Sequence, residues 1–571
     1  MLLRLRRAIS RSLPEPTLDR IVRARHGETA PQLRLHRAHG RLRAAGRGPQ
    51  QAGHVRVLGF DGGVEARIVD SVDAHAVRSA NVEAVSECLA RAGLAHALVP
   101  STLGRTAVVA LSVSDRPAAL QALATGLGGP QWCVDDLPAV RPQARARYAG
   151  KSVAATRLGA GRWREPARFR VFQVLATAAA EVVAGPELSA AVEFWHPVGS
   201  SPVPRPDGGD FTPGTLVAPE PLTTVVAYLS PGAWAAAVAS PGHWLTGRPR
   251  LTQVREPIDI VYTWVDGSDP VWLARKAACG AAVDAETLNR SATHDSRFSS
   301  RDELRYSLRS VAQYAGWARR IYIVTDQQVP GWLNVDHPQV EVVDHRQIFR
   351  DPAGLPVFNS HAIESQLHHI DGLAERYVYL NDDVFFGRLV EPETFFHGNG
   401  IARFFLSNAR LDVDPPSSQD LPVMSAAKRN RELIEARFGA TVVNKFKHTP
   451  HPQLRSVLEQ LELEHPEAFA AVARSRFRHP DDLSITSALH HYYAYGLGRA
   501  LPGAIRYVYQ DIARADTPRR LHNLLRLRDA DVFCLNDHES DPAGAAELTR
   551  LLGEFLARMY PLPSPFERSD G

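Results

Sequence analysis

Short apolar runs alternate with helix-like segments from Pro257 onward, and this order constrains the fold more than any other feature of the sequence. The strand-like run IDIVYTW is followed by the helix-like RDELRYSLRSVAQYA, two strand-like runs, RRIYIVTD and QVEVVDHRQIF, the helix-like SHAIESQLHHI, and the strand-like RYVYLNDDVFFG. A β-α-β-β-α-β order favours a mainly parallel sheet, because each crossover returns the chain to the same edge. We therefore expect an α/β fold with a Rossmann-like sheet and helices on both faces.

The chain as a whole is expected to have four parts, which differ in charge and in periodicity. They are a basic, flexible arm at 1–50, a smaller α/β or α+β N-terminal domain at 53–250 with an α/β part at 53–138 and a strand-rich part at 150–250, the Rossmann-like region at 255–540, and a packing helix with a tail at 541–571. The arm holds twelve arginines, no lysine and three acidic residues. It is either a solvated tail or a segment that contacts an anionic membrane surface or another polyanion.

Charge and cysteine content exclude several classes of protein. The 66 basic and 62 acidic residues leave a net charge of +4, which is too small to indicate nucleic-acid binding by the whole protein. The four cysteines form no CxxC pair, so they indicate neither a disulfide framework nor a structural zinc site, and a reducing compartment fits best.

No membrane-spanning or secretory segment is predicted. The first ten residues lack a long apolar run, and the uncharged run 221–247 carries Pro-Gly pairs at 231–232 and 241–242. We interpret that run as buried strands and turns and expect a cytoplasmic protein, with any membrane contact peripheral.

Acidic and amide side chains follow the strand-like runs of the predicted sheet. Six of them come at or just after the end of a run, and they are Asp266, Asp326, Asp344, Asn381, Asp382 and Asp383. One such residue is usually a turn former, but several at one sheet edge favour a ligand site, because ligands bind beyond the carboxyl ends of parallel strands. Asp382 and Asp383 are predicted ligands of Mg²⁺ or Mn²⁺, which prefer hard oxygen donors; the alternative is a turn that ends the strand.

Two later segments concentrate cations and imidazoles. NKFKHTPHP contains Lys447 and His448, and SRFRHPDD contains Arg478. A guanidinium binds phosphate oxygens in pairs and an imidazole accepts a proton near neutral pH, although each segment alone is equally consistent with a solvated loop. Two histidine pairs, His368–His369 and His490–His491, are interpreted as packing or surface residues, because neighbours on a helix do not share a face.

Polar residues also open two predicted helices. Arg301, Asp302 and Arg305 open the first, and Asn359, Ser360 and His361 open the second. Free N–H groups at helix N-termini favour anions and hydroxyl groups, so these residues are predicted to contact substrate, with a plain N-cap as the alternative for Ser360.

Four segments occur in an order that resembles the signature blocks of the Stealth family. They are IDIVYTWVDGSDP, the stretch from RDELRYSL through YVYLNDDVFFG, the stretch from KHTPHP through RFRHPDDLS, and FCLND, together spanning about 257–540. Members of that family are sugar-1-phosphate transferases of microbial capsule and cell-wall polysaccharide synthesis, related to the animal N-acetylglucosamine-1-phosphotransferase. The resemblance does not extend to residues 1–250, nor clearly to 405–440.

The resemblance implies a nucleotide-sugar-transferase-like sheet and transfer of a hexose 1-phosphate from a UDP-sugar to a hydroxyl of an acceptor saccharide, with release of UMP. It also implies catalytic roles for Asp259, Asp383, His448 and Arg478. His448 would accept the acceptor proton or form a phosphohistidine, and the sequence does not separate these. Asp259 lies inside a strand, where a buried carboxylate needs a partner, either a donor group of the substrate or an arginine.

Substrate binding is predicted for ten residues near these blocks. They are Asp266, Arg301, Asp302, Arg305, Asn359, His361, Asn381, Lys447, Asn536 and Asp537. Two other functions stay open at this point. One is a metal-dependent glycosyltransferase that releases UDP, and the other is a non-catalytic carbohydrate- or polyanion-binding protein that works through its N-terminal half. The expected partners are a UDP-sugar and a saccharide, with no nucleic acid.

Overall fold

The computed structural model describes residues 53–57, 64–102, 107–137, 152–201, 203–220, 222–245, 249–280, 298, 300–417, 420–537 and 544–569. The basic arm predicted at 1–50 lies outside the described residues.

The N-terminal region contains twelve strands and three α-helices among its described residues. In chain order they are β1 His54–Val57, β2 Val64–Ile68, α1 Ala74–Arg91, β3 His96–Pro100, β4 Ala107–Ser112, α2 Arg116–Gly126, β5 Trp132–Asp136, β6 Val153–Ala154, β7 Arg168–Gln173, β8 Leu175–Ala176, β9 Val182–Ala184, β10 Ala190–Pro197, β11 Leu216–Val217, β12 Tyr228–Leu229 and α3 Pro231–Ala239.

Strands from both predicted parts of this region join in one eight-stranded sheet. Its main strand order is β12-β11-β10-β7-β5-β6. Strand β4 joins it by parallel pairing with β10, and β3 pairs with β4. Because β4 comes from the α/β part and β10 from the strand-rich part, the two parts share backbone hydrogen bonds and a core. The strands β1, β2, β8 and β9 form a second, four-stranded sheet.

The expectation of strands and turns throughout residues 221–247 is wrong, because α3 lies within that run. The Ser230 hydroxyl accepts a hydrogen bond from the Ala233 N–H at 3.3 Å and caps the helix. Pro231 occupies the first turn, where a missing N–H costs no hydrogen bond, and the alanines that follow favour helix. No helix in the described part of the chain combines the length and apolarity needed to cross a bilayer.

The Rossmann-like region contains the remaining described strands and helices. In chain order they are β13 Ile258–Thr263, α4 Pro270–Gly280, α5 Glu303–Tyr314, β14 Ile321–Thr325, β15 Val340–Asp344, α6 His345–Ile348, α7 Ser360–Glu364, β16 Arg376–Asn381, β17 Val384–Phe386, β18 Ala402–Phe404, β19 Leu406–Arg410, α8 Pro422–Phe438, β20 Asn444–Phe446, β21 His451–Leu454, α9 Arg455–Glu464, α10 Pro466–Ala473, α11 His490–Gly496, β22 Ala500–Pro502, β23 Tyr507–Asp511, α12 Thr517–Leu527, β24 Val532–Asn536 and α13 Ala545–Met559.

The expected mainly parallel α/β sheet is confirmed. Its order is β15-β14-β13-β16-β21, in which the first four strands are parallel and β21 is antiparallel to β16. Five of the six residues of β13 are buried, as expected for a central parallel strand covered on both sides. In the register, Thr263 lies opposite Asn381, and Thr325 opposite Asp344, so the carboxyl ends of the parallel strands meet at one edge.

A small sheet and the C-terminal helix complete this region. The order β17-β24-β23 places Cys534 opposite Val384, next to the turn that follows β16. The helix predicted from apolar spacing after residue 544 is α13, whose Leu552, Phe555, Leu556 and Met559 are buried. Buried residues of β17, β24 and α13 belong to the same apolar cluster as the five-stranded sheet.

Candidate functional site

A cavity of about 420 Å³ opens at the edge where the four parallel strands end. Each strand contributes a residue at or just past its carboxyl end, and these are Thr263, Asp326, His345 and Asn381. Ligands of α/β proteins bind at this position, because the loops that leave the strands there surround a crevice. The cavity is therefore the candidate active site.

Three carboxylates lie close together on the wall of the cavity. Asp382 and Asp383 occupy the turn between β16 and β17, and Glu303 is the first residue of α5. Burial and the charges of Glu303 and Asp383 raise the pKa of Asp382 well above its usual value. Burial also raises the pKa of Glu303. The carboxylates therefore oppose one another's ionisation, and a divalent cation between them would remove that cost.

His448 and Asp383 face each other across the cavity wall. The Nε2 atom of His448 lies 3.4 Å from Oδ1 of Asp383, close enough for an ion pair but not aligned as a hydrogen bond, and neither atom has a hydrogen-bond partner. The other oxygen of Asp383, Oδ2, accepts from Asn536 Nδ2 at 3.2 Å and from Cys534 Sγ at 3.3 Å. Both atoms that face each other are thus buried polar groups whose hydrogen-bonding capacity is unused.

The ionisation of this pair follows from its contacts. Burial on its own would raise the pKa of Asp383, but His448, Cys534 and Asn536 outweigh it and hold the pKa below its usual value. Burial on its own would lower the pKa of His448, but the charge of Asp383 outweighs it and raises the pKa. A raised pKa makes the imidazole a stronger base.

Arg478 lines the cavity on the side of α7. Its Nη2 donates a hydrogen bond to the Ser360 hydroxyl at 2.7 Å. Glu364 lies one turn after Ser360, and its Oε2 accepts from the Ser487 hydroxyl at 2.6 Å. Burial lowers the pKa of Arg478 from its usual value, although the charges of Glu364 and Asp482 partly offset this effect. Arg478 thus presents a fixed positive charge to the cavity.

The segment that carries Arg478 is tied to the start of α7 by buried Asp482. Its Oδ2 accepts from Asn359 Nδ2 at 2.8 Å and from the His479 backbone N–H at 2.9 Å. Asn359 Nδ2 also lies 3.0 Å from the Ser475 carbonyl, and its Oδ1 accepts from the His361 N–H at 3.1 Å. These bonds fix the backbone on both sides of the Arg478–Ser360 contact.

An ion pair and a group of aromatic rings line the remaining walls of the cavity. Arg301 Nη2 donates to Asp537 Oδ2 at 2.7 Å, and both side chains are almost fully buried. Four aromatic side chains line the cavity, and they are Trp264, Trp272, Phe298 and Phe358. The ring of Trp272 lies 5.1 Å from that of Phe298 and 5.2 Å from that of Phe358, measured between centroids. Such a wall accommodates a planar ring or the apolar face of a sugar.

The structure brings eleven of the predicted site residues to this cavity and leaves seven outside its lining. Those that line it are Arg301, Asp326, Ser360, His361, Asn381, Asp382, Asp383, His448, Arg478, Asn536 and Asp537. Those that do not line it are Asp259, Asp266, Asp302, Arg305, Asp344, Asn359 and Lys447. Most of the residues outside the lining have hydrogen-bond or ion-pair partners elsewhere in the fold.

Asp259 is the principal correction to the expected site. Its two carboxylate oxygens accept from Arg319 Nε at 2.8 Å and Nη2 at 2.6 Å, and Oδ2 also accepts from the Ala374 N–H at 2.7 Å. The residue lies near the amino end of β13, whereas the cavity lies at the carboxyl end. The arginine partner expected for a buried carboxylate is therefore present, and the structure places Asp259 outside the cavity to which its predicted catalytic role would bring it.

The other residues outside the cavity lining mostly have ordinary structural partners. Oδ1 of Asp266 accepts from the N–H and hydroxyl of Ser268, which makes it a turn former. Asp302 is exposed before α5 with φ 64°, and Arg305 donates to Glu567 Oε2 at 2.6 Å. Lys447 Nζ lies 3.4 Å from the Ile505 carbonyl. Asn359 holds the backbone of the Arg478 segment, as described above.

Six polar residues of the cavity were not predicted from the sequence, and they are Thr263, Glu303, His345, Glu364, Ser484 and Ser487. Glu303 follows Arg301 by two positions, Glu364 follows Ser360 by four, and Ser487 lies on a single π-helical turn, Ile485–Leu489. The four-residue spacing places Ser360 and Glu364 on one helix face and was a usable signal. Nothing local to the sequence distinguishes Ser487, because a π turn forms through packing.

The donor atoms at this site fit Mg²⁺ or Mn²⁺. Asp382, Asp383 and Glu303 supply hard oxygen ligands, and Oδ1 of Asp383 is buried without a hydrogen-bond partner. A softer set, Asp383, His448 and Cys534, has its ligand atoms within 4.8 Å of one another. Burial raises the pKa of Cys534 well above its usual value, and in this structure its thiol donates to Asp383.

Four family models match the chain in sequence order. They are Stealth protein conserved region 1 over residues 256–284, conserved region 2 over 297–404, conserved region 3 over 447–495 and conserved region 4 over 522–571. The candidate active site draws residues from regions 1, 2, 3 and 4 alike.

Curated relatives cover most of the chain. Exopolysaccharide phosphotransferase SCO6023 of Streptomyces coelicolor is 43% identical over 507 residues, which is 86% of this chain and 83% of the relative. SCO6021 of the same organism is 41% identical over 505 residues, or 86% of this chain and 90% of the relative. Coverage of 86% exceeds residues 257–571 alone, so the similarity extends into the N-terminal region, contrary to expectation.

More distant matches cover less of the chain. Exopolysaccharide phosphotransferase CpsY of Mycobacterium tuberculosis is 39% identical over 321 residues, which is 56% of this chain and 60% of the relative. Among solved structures, galactosyltransferase LgtC in complex with donor and acceptor sugar analogues matches with a TM-score of 0.27 and 13% identity, over 52% of this chain and 96% of that chain. A TM-score this low does not support any conclusion about the site.

Proposed function

The chain belongs to the Stealth family, and from that premise we propose that it transfers a hexose 1-phosphate from a UDP-sugar to a hydroxyl of an acceptor saccharide. It is a transferase of polysaccharide synthesis, in keeping with the name exopolysaccharide phosphotransferase that its relatives share. The proposal includes a UDP-sugar donor, UMP as the released product, and a cytoplasmic location.

One observation carries the proposal. A base, an arginine and a cluster of carboxylates, His448, Arg478 and Asp382 with Asp383, converge on one cavity from three separate segments of the chain. Phosphoryl transfer requires little covalent chemistry from the protein, so positioning and neutralisation of charge supply most of the catalysis. This set of residues provides both.

The proposed step is attack by the acceptor hydroxyl on the sugar-bearing phosphorus of the donor. The hydroxyl oxygen forms a new bond to phosphorus as its proton passes to Nε2 of His448. The bond between that phosphorus and the oxygen that bridges to the second phosphate breaks, and UMP leaves with the electron pair. Arg478 neutralises charge on the transferred group, and Ser360 orients its guanidinium.

The carboxylate cluster has a supporting role in the proposal. Asp382, Asp383 and Glu303 would hold Mg²⁺ or Mn²⁺, which supplies positive charge to the donor diphosphate when it is bound. Asn536 and Cys534 donate to Asp383 and keep it ionised and oriented. The aromatic rings of Trp264, Trp272 and Phe358 would exclude water from the donor.

The test is to identify the nucleotide that the purified enzyme releases. With Mg²⁺, a panel of UDP-hexoses and short oligosaccharide acceptors, we expect UMP and an acceptor that gains phosphate. Replacing His448 or Arg478 by alanine should slow turnover by about 10³-fold, because each supplies charge or proton transfer at the reacting phosphorus. UDP release without phosphate in the product would mean attack at the anomeric carbon and would refute the proposal.

Matched controls separate catalysis from folding. His479→Ala replaces an exposed histidine in the Arg478 segment, and Arg476→Ala removes an arginine two positions away that does not line the cavity. Both variants should keep wild-type turnover. Turnover that survives in His448→Ala but falls in His479→Ala would remove His448 from its proposed role.

A further inference from the structure

We propose that His368, His369 and Glu462 form a second metal site, which binds a divalent transition-metal ion such as Zn²⁺. The two histidines lie on a short helical turn between α7 and β16, and Glu462 lies on α9. None of the three lines the candidate active site, and the histidines instead line a separate cavity of about 370 Å³. The turn precedes the amino end of β16, so this site lies away from the catalytic edge.

The three side chains converge on one point. Nε2 of His368 lies 3.0 Å and Nε2 of His369 lies 2.9 Å from the same oxygen, Oε2 of Glu462. The side chains are 0%, 9% and 16% exposed, respectively. The histidines are buried, as the packing interpretation predicted, but the premise that neighbouring helical residues do not share a face fails here, because the turn is 3₁₀-like and brings both rings to one partner.

Hydrogen-bond chemistry at His369 requires a cation in this cluster. Nδ1 of His369 lies 2.9 Å from the Ile348 carbonyl, which only accepts, so Nδ1 carries a hydrogen. In the neutral ring Nε2 then holds a lone pair, and it faces a carboxylate oxygen that also only accepts. Two lone pairs at this distance repel, so either a proton or a metal ion must lie between them.

His368 supplies the second nitrogen. Its Nε2 faces the same Oε2 of Glu462, and its side chain is fully buried. A metal ion at the two Nε2 atoms would bind both rings in their neutral forms, with the hydrogen of each ring on Nδ1. The Ile348 carbonyl accepts that hydrogen from His369, whereas Nδ1 of His368 has no partner among the described residues, which is the cost of the metal-bound form.

The donor set and its surroundings suit a borderline metal. Two imidazole nitrogens and one carboxylate oxygen, all within 4.8 Å of one another, match the three-ligand sites at which zinc keeps a fourth position for water. The cavity beside the histidines supplies access for that water and for the ion. Arg350 is the competing cation, with Nη1 3.3 Å from Glu462 Oε2, but it is 69% exposed and can turn into solvent.

The position of the site indicates what the ion does. The histidine turn leads into β16, which carries Asp382 and Asp383 at its far end, and α9 follows β21, the antiparallel neighbour of β16. A metal ion would cross-link these two segments at the amino edge of β16. Because the ion binds the folded chain and not the unfolded chain, it would stabilise the fold without taking part in catalysis.

The test is metal titration of the full chain after treatment with a chelator. We expect one Zn²⁺ bound through this cluster, a rise in Tm on addition of Zn²⁺, and a tetrahedral absorption spectrum with Co²⁺. His369→Ala and Glu462→Gln should each lower the affinity at least 10-fold and abolish the rise in Tm. Glu459→Gln is the matched control, because Glu459 lies on the same helix and pairs with Arg455 outside the cluster.

Asp383→Asn distinguishes this site from the catalytic one. The proposed site requires that Asp383→Asn keep the Zn²⁺ that His369→Ala loses. Loss of that ion in Asp383→Asn, with retention in His369→Ala, would place the metal in the active site and overturn the inference. Absence of any Zn²⁺-dependent change in the wild-type chain would show that a proton occupies the cluster, and it would overturn the inference as well, without bearing on the UMP assay.

Discussion

At the scale of single residues, the site depends on how each charged group is neutralised. Asp383 is held ionised by two donors and by His448, and Arg478 is fixed by the Ser360 hydroxyl. Burial and two acidic neighbours raise the pKa of Asp382. Asp259 contrasts with all three, because Arg319 and a backbone N–H satisfy its carboxylate completely. A carboxylate whose oxygens are already hydrogen-bonded, and which faces no cavity, is poorly placed to bind a substrate.

Replacing Asp259 should therefore test stability rather than chemistry. Asp259→Ala leaves Arg319 and the Ala374 N–H without their partner, and we expect a loss of about 3 kcal/mol in the free energy of unfolding, the usual cost of breaking a buried ion pair. The fraction that stays folded should turn over at the wild-type rate. The measurement is urea unfolding together with the turnover rate per folded molecule.

Arg319→Ala is the control for that experiment, since it breaks the same pair from the more exposed side. A similar fall in stability in both variants supports a structural pair. If folded Asp259→Ala instead turned over at least about 100-fold more slowly than wild type, a loss typical of a catalytic group, Asp259 would return to the catalytic residues.

At the scale of elements, α5 connects the site to the C-terminal tail. Glu303 at its first position lines the cavity, and Arg305 and Arg309 of the same helix donate to Glu567. Ser564 adds a backbone N–H to the same carboxylate at 2.7 Å. The tail thus holds α5, and with it Glu303, against the sheet edge.

The Glu567 contact predicts a specific loss of stability in acid. Burial opposes ionisation, but Arg309, Ser564 and Arg305 lower the pKa of Glu567 to about 2. An unfolded glutamate has a pKa of about 4.3, so the contact contributes fully above that pH and is lost as the pH falls toward the folded value. Glu567→Gln should cost about 3 kcal/mol at pH 7, and its difference from wild type should shrink below about pH 4.

Chemical unfolding of both proteins at pH 7 and at about pH 3.5, below the unfolded pKa, checks this prediction. Glu554→Gln serves as the control, because Glu554 is an exposed residue of α13 that pairs with Arg550. A difference between Glu567→Gln and wild type that is the same at both pH values would contradict the prediction.

At the scale of the whole molecule, the N-terminal region packs into the core of the Rossmann-like region. Buried Leu175, Val183 and Leu188 belong to the same apolar cluster as β13 and α5. Gln313 Nε2 of α5 donates to the Val183 carbonyl at 3.2 Å, and Arg78 of α1 pairs with Glu391. The N-terminal region therefore shares a buried apolar core and polar contacts with the Rossmann-like region.

Removal of the N-terminal region should consequently expose apolar surface. A fragment that begins at residue 249 loses the apolar contacts of Leu175, Val183 and Leu188, and we expect it to unfold at least about 5 °C below the full chain or to aggregate. Differential scanning calorimetry of fragment and full chain is the measurement. An unchanged Tm and a monodisperse fragment would show that the two regions fold independently.

The order of elements and the cluster of acids at one sheet edge could be predicted from the sequence, because hydrophobic periodicity is local and parallel strands must end together. The family resemblance added His448 and Arg478, which no local pattern separates from solvated loops. Short-range chemistry thus determined the sheet, the side of the sheet that binds ligand, and the residue types of the site.

The tertiary structure alone decided which polar residues face the cavity. Asp259 and Asp383 both follow or lie in apolar strands, yet Arg319, sixty residues from Asp259, satisfies the first and leaves only the second available. In the same way, Arg305 lies near the start of a helix, where a substrate contact was predicted. Its guanidinium instead pairs with Glu567, which lies 262 residues away in the sequence. Partners separated by such distances leave no pattern in the sequence, because only packing brings them together.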